Sequence, residues 1–109
     1  MSNEYIALAA GEKVSGLLAV SKAVIEGIAA KAVSEVKNVR LLDKTNFNRP
    51  VNCRIEDHAL FVDVAIRIQY DCNIADACVA VQNRINQALE QMLAMTCQEI
   101  EVKVVGFIF

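Results

Sequence analysis

Five residues of this chain carry most of its intrinsic reactivity: Cys53, Cys72, Cys78, Cys97 and His58. Thiolates and imidazoles can hold zinc, and a thiolate activated by an imidazole can act as a nucleophile. Both chemistries demand spacing that is missing here. No two cysteines stand as Cys-x-x-Cys, and His58 is the sole histidine, so no zinc set can be assembled from the usual patterns. Cys53 and Cys78 fall on apolar positions of patterned segments and read as small core hydrophobes. Cys72 and Cys97 lie near element ends and read as the more reactive pair. His58 falls at an expected hairpin tip, away from the cleft in which a general base works. Asp63 and Arg67 share one face of an expected strand and read as a solvated pair. Gly11, Gly16, Gly27 and Gly106 form neither a G-x-G-x-x-G nor a Walker sequence, so no phosphate cradle follows. The expectation is a chain without catalytic residues, metal or cofactor.

Composition narrows the remaining classes. At 109 residues the chain can bury one core. It is 55% hydrophobic and only 22% charged, a balance that leaves apolar surface for another chain to cover. A net charge of −2 lacks the basic excess that phosphate backbones require, which argues against nucleic acid. No apolar run approaches the roughly 20 residues that cross a bilayer. The stretch "MSNEYIALAAGEK" has no basic region ahead of an apolar one. The expected location is the cytoplasm, with the cysteines as thiols.

Periodicity supplies the elements. "LLAV" at 17–20 reads as a strand closed by Ser21, which caps a helix whose buried face is Ile25, Ile28, Ala29, Ala32, Val33 and Val36. Lys22, Glu26, Lys31 and Glu35 fall outside that face, with Lys31 and Glu35 spaced to pair weakly. The stretch "RLLDKTNFNRP" reads as the main loop, its Arg40, Lys44 and Arg49 solvated. Val51, Cys53 and Ile55 alternate with polar residues, as do Leu60, Val62, Val64, Ile66 and Ile68. A two-residue turn at Asp57 and His58 pairs Glu56 with Ala59 and puts both apolar sets on one face. Asn73 caps a second helix, with Asp76 in its first turn and Ile74, Ala77, Cys78, Val81, Ile85, Ala88, Leu89 and Met92 facing the core. A last strand over 98–108 directs Ile100, Val102, Val104 and Ile108 inward.

The order strand, helix, strand, strand, helix, strand predicts an α+β two-layer sandwich, a mostly antiparallel four-stranded sheet with both helices on one face. The other face should carry Leu17, Ala19, Phe61, Asp63, Ala65, Arg67, Lys103, Val105, Phe107 and Phe109. Within it Phe61, Val105, Phe107 and Phe109 form a candidate protein-interaction surface. Residues 16–109 are expected to be one domain, and the segment 1–15, containing "YIALAA", is placed to fold over that face.

Three stretches in order, "GLLAVSKAVIEGIAAKAVSEVKNV", "VNCRIEDHALFVDVAIRIQYDCNIADACVAVQNRINQALEQM" and "EIEVKVVGFIF", resemble the alkaline shock protein family of Gram-positive envelope stress response proteins. The resemblance spans about residues 16–109. It implies a non-enzymatic cytoplasmic protein that forms homo-oligomers and is held at the inner face of the membrane by a separate membrane-anchored partner, with no catalytic residue to carry over. A small regulatory module acting on an enzyme of envelope or fatty-acid supply is the alternative, and base stacking on the sheet by single-stranded RNA a third.

Overall fold

The strict alternation of residues 59–69 organises the whole sheet. The computed structural model describes residues 5–8, 18–45, 49–57 and 59–109. In order these form β1 (Tyr5–Leu8), β2 (Leu18–Ser21), α1 (Lys22–Ser34), β3 (Val39–Leu41), β4 (Val51–Glu56), β5 (Ala59–Gln69), α2 (Ile74–Leu93) and β6 (Glu99–Ile108). The α+β class and the expected order are both present. Strand β5 is the centre of the four-stranded sheet: β4 and β3 pair antiparallel with it in succession, and β6 pairs parallel to it.

Each pairing has a local cause. The hairpin register is the expected one, Glu56 with Ala59, Ile55 with Leu60, Cys53 with Val62 and Val51 with Val64, because any odd slip would turn the apolar set of one strand to water. Asp57 has φ 49°, the left-handed backbone that a tight hairpin demands and that aspartate tolerates. His58 lies outside the described residues.

Both helices start where expected. The Ser21 hydroxyl accepts from the Val24 N–H at 3.2 Å, and the Asn73 side chain accepts from the Asp76 N–H at 3.0 Å, each satisfying a donor that the first turn leaves free. Ile25, Ile28, Ala29, Ala32 and Val33 of α1 and Val81, Ile85, Ala88 and Leu89 of α2 are buried against Leu60, Val62, Val64, Ile66 and Ile68. The two helices also pack on each other, with Arg84 donating to Glu35 at 2.9 Å. Ile74 and Met92, read as core, lie in the first and last turns of α2 and are exposed.

Two expectations about strands need correction. The segment closed by Ser21 pairs with β1 in a separate two-stranded ribbon, so it does not join the four-stranded sheet. Its place is taken by β3, which runs into the stretch read as loop; Val39, just before that stretch, is buried and pairs with Ile68. Three residues are too few for periodicity to reveal. Apart from β1, the segment 1–15 expected to cover the sheet lies outside the described residues.

Candidate functional site

The terminal strand departs most from its sequence reading. Through Val104 its register with β5 is regular, Val62 with Ile100, Val64 with Val102 and Ile66 with Val104. Then Arg67 pairs with Gly106, so Val105 is one extra residue, a β-bulge. Side chains paired across a ladder share a face. Before the bulge Glu101 and Lys103 stand on the uncovered face with Asp63 and Ala65; after it Phe107 pairs with Ile68, on the helix side, and Ile108 with Gln69, on the uncovered side. Gly106 agrees, since a Cβ there would meet the Arg67 side chain at 3.8 Å. Phe107 and Ile108 therefore occupy the opposite faces from those expected, because a single inserted residue reverses the alternation.

The candidate surface is consequently split. Phe61 remains on the uncovered face, half-buried under the guanidinium of Arg54, whose central carbon lies 4.8 Å from the ring centroid, a cation–π contact. Asp63 and Arg67 share that face, and no ion pair joins them. Phe107 and Phe109 instead gather with Tyr70 beyond the sheet's buried end. Tyr70 and Phe109 stack with centroids 5.5 Å apart, and Phe107 meets Phe109 edge-on at 6.5 Å. Despite these contacts the three are 59%, 44% and 92% exposed for Tyr70, Phe107 and Phe109. Tyr70 is no part of the surface that the sequence pattern suggests.

The cysteines do not form a reactive set. Burial pushes Cys53 up to about 11, helped by the Glu26 charge, and burial pushes Cys97 to about 11 as well. Cys78 is raised by burial, and Cys72 by desolvation and then by Asp71. Cys97 is thus no more reactive than Cys53, because it packs against the core instead of fraying from it. Among the described residues no three His, Cys, Asp or Glu side chains converge on a metal position. A groove of about 290 Å³ between the helices, bordered by Val24, Ile28, Lys31, Glu35, Arg84 and Met92, presents no nucleophile paired with a base.

The other polar cluster ties the fold together. The Glu26 carboxylate accepts from the Cys53 N–H at 3.1 Å and from Arg49 at 3.0 Å. Its side chain is only 13% exposed, so Glu26 does not lie in solvent as the helical pattern suggested, and Arg49 is not merely a loop charge. No helix among the described residues is long and apolar enough to cross a membrane.

A two-helix, four-stranded α+β fold with an exposed aromatic cluster defines the class, and comparison with known proteins supplies the family. The alkaline shock protein family, described by its cell envelope-related function, matches residues 4–109. The chain belongs to this family, the one that its three ordered stretches resemble. It is similar to the uncharacterized protein YloU of Bacillus subtilis (strain 168), 28% identical over 97% of this chain and 84% of that protein. It is also similar to the uncharacterized protein YqhY of the same organism, 27% identical over 86% of this chain and 78% of that protein. No solved structure matches the chain significantly.

Proposed function

We propose that this protein serves the cell envelope as a non-enzymatic cytoplasmic component that works by self-association, with docking to a membrane-anchored partner as its link to the membrane. The observation that carries this reading is the exposed aromatic cluster of Tyr70, Phe107 and Phe109. Aromatic side chains are rigid, bring large area to a contact and anchor interfaces when another chain buries them. Val105, exposed at the bulge, extends the apolar surface along the same strand. Phe61 contributes less, because Arg54 already covers one face of its ring.

Light scattering behind size exclusion, over a concentration series, tests the reading. The wild type is expected to associate as concentration rises, and a Phe107→Ala/Phe109→Ala double variant to stay monomeric with an unchanged circular dichroism spectrum. A wild type that stays monomeric throughout refutes self-association and leaves one-to-one binding to an envelope or fatty-acid enzyme as the reading to pursue.

A further inference from the structure

Self-association leaves open how one copy meets another, and β6 has the features of a strand that pairs with itself. Its only strand neighbour among the described residues is β5, so one edge of its ladder is free. Which groups point outward follows from the bonding. The Ala65 N–H donates to the Pro50 carbonyl at 2.8 Å, so odd-numbered residues of β5 serve the β4 edge and even-numbered ones serve β6. In a parallel ladder a residue bonds to the two neighbours of its register partner. Val62 is partnered by Ile100, so its bonds go to Glu99 and Glu101. The backbone groups of Ile100, Val102 and Val104 are left facing outward. The Ile100 carbonyl, accepting from the Gln82 side chain at 3.0 Å, keeps a second lone pair for another donor.

The regular part of β6 begins at Glu99 and ends where Val105 bulges. Its midpoint is Val102. Suppose a second copy lies antiparallel beside it, with the two-fold axis through Val102 and perpendicular to the sheet. Val102 then pairs with itself and Ile100 with Val104, so each of these pairs has outward-facing backbone groups at both ends of its bonds, and the residues between them form the non-hydrogen-bonded pairs. The same axis puts Glu101 opposite Lys103 of the second copy, and Lys103 opposite its Glu101, all on the uncovered face. The two residues already lie 3.9 Å apart within one chain, and pairing would join them into a four-charge ladder. Moving the axis to residue 101 would set glutamate against glutamate, and to residue 103 lysine against lysine, both unfavourable for directly opposed strand residues.

We infer that the partner of this chain is a second copy docked along the free edge of β6, in the antiparallel register centred on Val102. The inference rests on the self-association reading and gives it a geometry. The contact is isologous, so each copy contributes the same patch, and strand addition makes one continuous sheet through both copies. Beyond the bulge, Phe107 and Phe109 reach past the second copy's Glu99 toward the segment that precedes its β6. The aromatic cluster and the strand edge would then belong to one interface.

Charge reversal tests the register. In Glu101→Lys both opposed pairs become lysine against lysine, and in Lys103→Glu both become glutamate against glutamate. Each variant alone should associate about tenfold more weakly than wild type. Mixed one to one, the two variants are complementary across the axis and should recover association. The double variant Glu101→Lys/Lys103→Glu should also recover it, which a variant that merely misfolds could not do. Sedimentation equilibrium on the four proteins and the mixture reads all of this. If the wild type associates but neither variant weakens it and mixing changes nothing, the edge register is overturned while self-association stands. A wild type that never associates removes both.

Discussion

The two edges of the sheet are built to different plans. On the edge shared by β4 and β3, the outward N–H of Cys53 is taken by the Glu26 carboxylate, which Arg49 holds in place. On the β6 edge, the polar tie identified is a neutral amide, Gln82 on the Ile100 carbonyl. Unpaired strand edges invite other chains, and folded proteins cover those they do not use. A charged, mostly buried clamp on one side and a single amide on the other separates an edge that is closed from one that is available.

The largest disturbance removes what the two edges share. Ile66 is fully buried in β5, so Ile66→Ala should cost roughly 2–5 kcal/mol, as truncations in a packed core do. Urea denaturation would measure it, and both edges should lose amide protection together. A loss confined to one edge would mean that the sheet does not unfold as a unit.

Breaking only the closed edge comes next. Glu26→Ala leaves the Cys53 N–H and Arg49 without their acceptor and should cost about 1–3 kcal/mol. Hydrogen exchange sharpens the result: in wild type the Cys53 amide should exchange more slowly than those of Val102 and Val104, and in Glu26→Ala that difference should shrink. An unchanged Cys53 rate would show that the clamp does not guard the edge.

Alkaline pH probes both regions through their thiols. Cys53 and Cys97 have folded values near 11 against an ordinary 9.0, so between those limits the folded chain holds more protons than the unfolded one. Stability should be full below about pH 9 and fall as pH rises toward 11. Denaturant midpoints across that range test the sign, and Cys53→Ala and Cys97→Ala should each flatten the decline. A flat profile in the wild type would contradict the burial of both thiols. The smallest effect belongs to the open edge, where Gln82→Ala should cost about 1 kcal/mol or less. A cost equal to that of Glu26→Ala would erase the contrast between the edges.

How much of this was readable beforehand depended on the length of each repeating pattern. The hairpin was, because β5 alternates over eleven residues, which fixes which side faces inward, and a two-residue turn then fixes the register with β4. The caps at Ser21 and Asn73 were, because a capping side chain acts within a few residues of itself. Strand β3 was not, since Val39 and Leu41 make a single alternation. The bulge was not either, because "VVGFIF" is apolar on both faces and so fixes no parity; Gly106 was the one hint, a lone glycine within a strand pattern. That ambiguity misplaced Phe107 and Ile108 and hid the cluster with Tyr70, which no spacing rule brings to Phe109. The Glu26 clamp joins residues 27 apart, a distance at which local patterns are silent.

The parallel pairing of β5 and β6 also has a consequence for folding kinetics. Strand β5 meets β4 across a tight turn, but its other ladder first closes between Phe61 and Glu99, 38 positions along the chain (99 − 61). Short closures are quick and long ones carry more entropy, so β6 should be the last strand to dock. Until it arrives, the side of β5 that the finished sheet seals lies bare between Leu60 and Ile68, an uncharged apolar ladder but for Asp63 and Arg67. The refolding chain is therefore more prone to aggregate than the native one. Dilution during refolding should protect the yield more than any change that stabilises the finished fold.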